Sequence, residues 1–262
     1  MKFPFATAVA PERTFRKPAP SNVPALQTGT LAALYRSARK GGDFFDFASV
    51  RARLIFLLLD IAGARDEALD IAAAAQDAFR AEIGELFNHS PVNEADALSN
   101  LTVALNRMII AAAGGVHCAP AFLGSYDEEV GTVTYINAGH TPALVKDQEG
   151  VELLGASGLP LGLFSHATHD AQIRVLPHGA ALLLVSKGLV ESRYRNQEFG
   201  LERLQETLKK LQFTTATELS SAVLTRVQQF TKNTPPQNDV TALALVRAEL
   251  PVLAPAAVVV RR

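Results

Sequence analysis

The stretch Leu-Ile-Phe-Leu-Leu-Leu-Asp at residues 54–60 is an unbroken apolar run that ends on a carboxylate. Such a run predicts a strand buried on both faces, and we expect this strand to extend from Arg53 to Leu59. Asp60 then stands where the chain leaves the core. Because burying an unpaired carboxylate is costly, Asp60 is expected to be exposed, hydrogen-bonded or metal-bound, or to cap the following helix.

Regular elements are predicted on both sides of this strand. Two strands precede it at 30–35 and 44–50, and a helix follows at about 66–87, where apolar residues recur at spacings of three and four. Asn93 is a suitable N-cap for a second helix that continues through Met108. Residues 1–27 are interpreted as an irregular arm, 28–248 as one domain and 249–262 as an apolar tail.

The second half of the chain is dominated by short strands. They are predicted at 121–126, 132–137, 143–145, 151–154, 172–175 and 181–186, followed by two helices and a last strand at 240–246. Thr215 and Glu218 form a capping-box sequence at the start of the second of these helices. Grouped strands with paired helices favour the α+β class, and we predict a four-layer α-β-β-α sandwich of two antiparallel sheets flanked by helix pairs.

Composition and charge narrow the class of protein. Of the 262 residues, 48% are hydrophobic and 19% are charged, which suits a large core. Lys and Arg total 25 against 26 Asp and Glu, so no basic excess exists to neutralise nucleic-acid phosphates. No apolar run approaches the roughly 20 residues that span a bilayer. With Cys118 as its one cysteine, the chain is expected to be cytoplasmic and to bind neither nucleic acid nor membranes, while an oligomer is left open.

Several motifs place polar groups at the ends of apolar strands. Gly41-Gly42-Asp43 lets the backbone turn and presents a carboxylate that suits a hard cation, although a solvated turn explains the same residues. Asn238 and Asp239 precede the last strand, and Lys187 follows another, where it either binds an anion or caps a loop. His140 ends a strand and is interpreted as bonded to backbone rather than as a general acid or base.

Taken in order, these stretches resemble the SpoIIE (stage II sporulation protein E) family of PPM, or type 2C, metal-dependent serine/threonine protein phosphatases. The resemblance covers about residues 29–247. It implies the sandwich fold and two Mn²⁺ or Mg²⁺ ions held by aspartates, with a bridged water that attacks the phosphorus. The motifs that carry it lie at 41–46, 60–63, 105–107, 137–142, 158–162, 183–191, 199–204 and 238–241.

The resemblance assigns roles to three positions that keep the family pattern. Asp43 matches the aspartate of the Gly-Gly-Asp motif, and Asp60 matches the aspartate that bridges both metals. Ile61 stands where a backbone carbonyl coordinates one metal. These three are the expected metal ligands, and the two aspartates are also the expected catalytic residues. Ala64-Arg65 departs from the pattern, because a His or Lys and then a Gly are usual there.

Two further departures fall on the metal site. Lys187 replaces the aspartate of the family's Thr-Asp-Gly motif, and Asn238, followed by Asp239, replaces the first acid of its Asp-Asp-x-Thr motif. The two replacements add three units of positive charge, two at 187 and one at 238. Asn238 and Asp239 remain candidate ligands, whereas the ligand position at 187 is lost. Because an ammonium cannot coordinate a cation, we expect Lys187 to pair with Asp43 or Asp60.

Two functions follow from the resemblance. The leading hypothesis is a phosphatase-family domain with a degenerate site, a weak or inactive pseudophosphatase that holds Mn²⁺ or Mg²⁺ or no metal at all. It would bind a phosphoprotein or an anti-anti-sigma-type regulator in a signalling switch. The alternative is an active Mn- or Mg-dependent phosphoserine/phosphothreonine phosphatase acting on such regulators, with Asp43, Asp46, Asp60 and Asp239 in an altered arrangement.

Overall fold

The computed structural model describes residues 15–38, 42–115 and 117–249. Residues 1–14 of the predicted arm, Gly41 of the Gly-Gly-Asp motif and the predicted tail from residue 250 onward lie outside the described residues. The division into arm, domain and tail therefore stays a prediction. No helix formed by the described residues is long and apolar enough to cross a lipid bilayer.

Two five-stranded antiparallel sheets form the centre of the molecule. The first contains, in spatial order, β1 (Gly29–Arg36), β12 (Val240–Arg247), β9 (Ala181–Val185), β6 (Ala143–Lys146) and β7 (Val151–Leu154). The second contains β2 (Asp43–Val50), β3 (Arg53–Asp60), β4 (Ala121–Asp127), β5 (Thr132–Ala138) and β8 (Gln172–Val175). Helices α1 (Arg65–Phe87) and α2 (Glu94–Ala113) pack on the second sheet, and α4 (Gly200–Lys210) and α5 (Ala216–Thr231) pack on the first.

The unbroken apolar run of β3 is explained by burial on both faces. Leu54, Phe56 and Leu58 belong to the core between the sheets, and the alternate residues 55, 57 and 59 belong to the core beneath α1 and α2. A third apolar cluster lies between the first sheet and α4 and α5. Three cores separate four layers, so the predicted α-β-β-α sandwich is confirmed.

Helix ends follow the predicted capping signals. The side chain of Asn93 accepts a hydrogen bond from the backbone N–H of Asp96 at the start of α2. Thr215 and Glu218 form both bonds of the capping box that opens α5. These local bonds satisfy N–H groups that have no partner inside the helix.

Three short elements were not predicted. They are the four-residue helix α3 (Lys187–Val190) and the hairpin of β10 (Arg193–Tyr194) and β11 (Gln197–Glu198). Elements of two to four residues are too short to show a periodic pattern. The strand predicted through Ser186 ends at Val185, because the backbone N–H of Thr241 in β12 donates to the Ser186 hydroxyl at 3.0 Å instead of to a backbone carbonyl of that strand.

The described part of the N-terminal segment lies against α1 and β2. The Gln76 amide, which is buried, accepts from the backbone N–H of Ala19 at 2.7 Å and donates to its carbonyl at 2.9 Å. The Ser21 hydroxyl donates to the carbonyl oxygen of Phe45 at 2.6 Å. Residues 15–26 contain no helix or strand, so these side-chain contacts hold an irregular segment on the domain surface.

Candidate functional site

The motif residues meet where strands of the two sheets end. Asp43 begins β2 directly opposite Asp60, the last residue of β3. The end of β9 and the start of β12 are neighbours in the other sheet, which brings Lys187 beside Asn238. Together they form a cleft of about 270 Å³, lined by Asp43, Asp60, Ile61, Ala62, Gly63, Cys118, Pro120, Lys187, Gly188, Glu191, Asn238 and Asp239.

Asp43 is largely withdrawn from solvent at one side of the cleft. Its Oδ2 accepts a hydrogen bond from the Thr241 hydroxyl at 2.6 Å. Burial raises the pKa of Asp43 to about 7, although hydrogen bonds from Thr241 and Ser186 oppose the shift. The carboxyl is therefore held by a β12 side chain and titrates near neutral pH.

Asp60 and Ile61 line the same cleft next to Asp43. Burial raises the pKa of Asp60, and the positive charge of Lys187 partly offsets this effect. The backbone N–H of Ile61 donates to the Gly42 carbonyl at 3.0 Å. A Cβ at Gly42 would lie 2.1 Å from the Ile61 carbonyl oxygen, which explains why glycine stands before Asp43.

The expected pairing of Lys187 with Asp43 or Asp60 is wrong. Its Nζ lies 3.4 Å from Oε1 of Glu191, four residues along the chain. Lys187 begins α3, and this helical turn brings the residue four positions later onto the same side. The Lys187 side chain is 63% exposed, so its ammonium group stands at the mouth of the cleft.

Asp239 uses both carboxylate oxygens within the fold. Its side chain, which is 2% exposed, accepts from the Tyr35 hydroxyl at 2.8 Å and from the backbone N–H of Ala38 at 2.7 Å. Arg65 Nη1 lies 3.8 Å from the same carboxylate. Burial, with the adjacent carboxylate of Asp239 as a further cause, raises the pKa of Tyr35 to about 12. Sequence reasoning missed Tyr35 and the pairing of Arg65, because no local pattern links residues so far apart.

The donor set can be compared with the two-metal centre that the resemblance implies. Asp43, Asp60, Glu191 and Asp239 all line the cleft, but both carboxylate oxygens of Asp239 accept hydrogen bonds from Tyr35 and Ala38. Among the described residues, no group of three or more His, Cys, Asp or Glu side chains is placed to hold a metal ion. These residues do not fit two divalent cations, which need several oxygen ligands each. The individual ligand roles given by the resemblance stay predictions.

Two other residues singled out in the sequence, Asp46 and His140, make contacts within the fold and do not line the cleft. Asp46, part of the alternative catalytic arrangement, is outside the cleft: it is buried beneath α1, where Arg80 Nε donates to its Oδ2 at 2.8 Å and Gln76 at 3.2 Å. That part of the alternative is wrong, because residues three apart on a strand point to opposite faces. His140 is buried, and its Nδ1 lies 3.1 Å from the carbonyl oxygen of Thr141, as the interpretation of a backbone-bonded histidine expects.

A four-layer sandwich in which acidic residues at the ends of strands meet in one cleft is the arrangement of the type 2C phosphatase fold. The sequence model described as "Stage II sporulation protein E (SpoIIE)" matches residues 51–248. The chain therefore belongs to the SpoIIE family, which is metal-dependent. Among curated proteins, Protein IcfG of Synechocystis sp. is 28% identical over 131 residues, which span 49% of this chain and 20% of IcfG.

Solved structures share the fold. The RsbU and RsbW domains of Rv1364c from Mycobacterium tuberculosis superpose with a TM-score of 0.71 at 26% identity, covering 87% of this chain and 64% of that one. The SiaA-PP2C domain of Pseudomonas aeruginosa superposes with a TM-score of 0.70 at 16% identity, covering 84% and 86%. The chain spans less than two thirds of the lengths of IcfG and the Rv1364c structure.

Proposed function

We propose that this domain is a regulatory member of the SpoIIE phosphatase family whose cleft binds a phosphoprotein without efficient hydrolysis. The observation that carries the proposal is Lys187, an ammonium group at the mouth of the cleft where the family resemblance places a metal-ligand aspartate. Its three N–H donors can bind phosphoryl oxygens but cannot coordinate a cation. Asn238 removes a second expected carboxylate. A cleft of this kind, with few ligands for a metal ion, would still bind a phosphoryl group but would no longer activate a water molecule for hydrolysis.

The proposed partner is an anti-anti-sigma-type regulator or another serine- or threonine-phosphorylated protein. Support comes from the family resemblance and from the RsbU and RsbW domains of the Mycobacterium tuberculosis structure. A cytoplasmic location accords with such a partner. If a cation binds at all, Mn²⁺ or Mg²⁺ is the proposed ion, held by Asp43 and Asp60.

The second candidate function is metal-dependent hydrolysis of phosphoserine or phosphothreonine. It is favoured by the direct pairing of Asp43 with Asp60 across β2 and β3, since both carboxylates line the cleft together with Glu191. In this account a single Mn²⁺ or Mg²⁺ would be held by fewer protein oxygens, with water completing the coordination.

Hydrolysis of p-nitrophenyl phosphate in the presence of Mn²⁺ separates the two functions. We expect the wild-type protein to show no activity above that of Asp60→Ala, because the ligand set does not fit two cations. Mn²⁺-dependent activity that disappears in Asp60→Ala would refute the regulatory proposal and establish the second function. A phosphoserine peptide that binds wild type but not Lys187→Ala would support the cleft as a phosphate-recognition site.

A further inference from the structure

A second hollow lies beside the cleft, between the C-terminal half of α5, α3 and the loop that leads into β12. Its volume is about 230 Å³, and three residues, Gly188, Glu191 and Asn238, line both the hollow and the cleft. A chain bound across this boundary would therefore contact both. Apart from Asn238, no described residue with a predicted role lines this hollow, which we call the α5 pocket.

The floor of the α5 pocket is apolar and its wall is polar. Leu224, Val227 and Val240 lie in it with Pro235 and Pro236. The side chains of Gln228, Thr231, Thr234 and Gln237 surround them with amide and hydroxyl groups. A concave site with an apolar floor and a few polar groups takes one apolar side chain and can bond to the adjacent peptide backbone.

The rim of the α5 pocket is basic. Arg36 and Arg193 line it and are exposed. Two further cations, Arg195 in the neighbouring hairpin and Lys232 at the C-terminal end of α5, lie 5.3 and 4.8 Å from the centre of the Tyr194 ring, outside the described lining of the pocket. Among the described residues that line the pocket, Arg36 and Arg193 are the cations.

Of the described acids, Glu191 lines the pocket. Glu191 pairs with Lys187 at 3.4 Å, and Glu198 pairs with Arg193. Two arginines against one glutamate in the described lining leave a local positive excess, although the whole chain has a formal net charge of -1. A concentrated positive rim attracts a negatively charged partner and steers its approach.

We infer that the α5 pocket is a docking site for an acidic segment of a partner protein, with one apolar side chain of that segment in the pocket. The inference rests on the proposed regulatory function, because it describes how the same partner is held beside the cleft. A protein segment is favoured over a nucleic acid because the floor suits an aliphatic side chain, whereas a nucleic-acid backbone offers only charge.

The test uses a fluorescein-labelled, unphosphorylated nonapeptide in which eight Glu and Asp residues flank a central leucine, and measures binding by fluorescence anisotropy. We expect Arg36→Glu combined with Arg193→Glu to weaken binding at least about tenfold. Gln228→Trp, which fills the pocket without changing charge, should weaken it similarly. Lys209→Glu combined with Lys210→Glu is the matched control, because these exposed residues end α4 and do not line the pocket.

Several outcomes would overturn the docking site. The inference is wrong if the acidic peptide does not bind, or if the α4 control weakens binding as much as the pocket variants do. It is also wrong if a peptide with serine in place of leucine binds equally well, or if a single-stranded oligonucleotide binds more tightly through the same arginines. Thermal melting of each variant confirms that it is folded. Lys187→Ala separates this inference from the proposed function: the acidic peptide should still bind that variant even if no phosphoserine peptide binds the cleft.

Discussion

At the scale of single residues, Asp239 shows how groups of the chain itself stabilise a buried carboxylate beside the cleft. A buried carboxylate needs donors, and Tyr35 and the backbone N–H of Ala38 supply them at 2.8 and 2.7 Å. Arg65, at 3.8 Å, adds a positive charge where the family resemblance expects glycine. Asp239 is therefore committed to joining β1 and α1 to the start of β12.

His140 makes the stability of the fold dependent on pH. Burial lowers the pKa of His140 to about 4, below the value of about 6.5 expected in the unfolded chain. Between these values the unfolded state binds the proton more readily, so the free energy of unfolding falls as the pH drops from 6.5 to 4. The full difference is about 3 kcal/mol.

Urea unfolding at pH 7 and at pH 4.5 measures this contribution. His140→Gln should lose part of the stability difference between the two pH values, whereas His166→Gln, at an exposed position, should keep the wild-type difference. An unchanged pH dependence in His140→Gln would show that this imidazole does not titrate as its burial implies.

At the scale of elements, the packing of β3 against β4 depends on a glycine, which has no side chain, at residue 124. Gly124 lies opposite Phe56, and a Cβ at Gly124 would lie 2.1 Å from the Phe56 ring. Gly124→Ala should therefore lower the free energy of unfolding by about 1–3 kcal/mol, because the buried ring cannot move without displacing its neighbours.

Gly84 in α1 is the matched comparison. An added Cβ there meets no atom within 4 Å, and the residue lies on the exposed side of the helix. Gly84→Ala should raise stability by about 0.5–1 kcal/mol, because alanine loses less backbone entropy in a helix. Urea unfolding of both variants checks the pair. A gain in stability from Gly124→Ala would contradict the packing described between the two strands.

At the scale of the whole molecule, the layered fold could be predicted because its signals are long and repetitive. The double burial of β3 follows from six apolar residues in a row, and the helix pairs follow from spacings of three and four. The hairpin of β10 and β11 and the helix α3 could not be predicted, since two to four residues give no period.

The cleft was predicted in part. The proximity of Asp43 and Asp60 follows from the family motifs and is what the strand register shows. The partner of Lys187 was missed because it depends on the unpredicted helix α3, which brings Glu191 within 3.4 Å. The bond from Tyr35 to Asp239 joins residues separated by 204 positions, and only the packed sheet brings them together.

The central claim, that Lys187 and Asn238 deprive the cleft of its metal centre, is tested most directly by titrating Mn²⁺ into the protein in a calorimeter. Wild type should show no detectable binding, whereas Lys187→Asp combined with Asn238→Asp should bind Mn²⁺ with a dissociation constant at least about tenfold below the highest Mn²⁺ concentration tested on wild type, because two carboxylates join Asp43 and Asp60. Tight binding by wild type that Asp60→Ala abolishes would contradict the claim. So would a doubly substituted protein whose affinity for Mn²⁺ is unchanged.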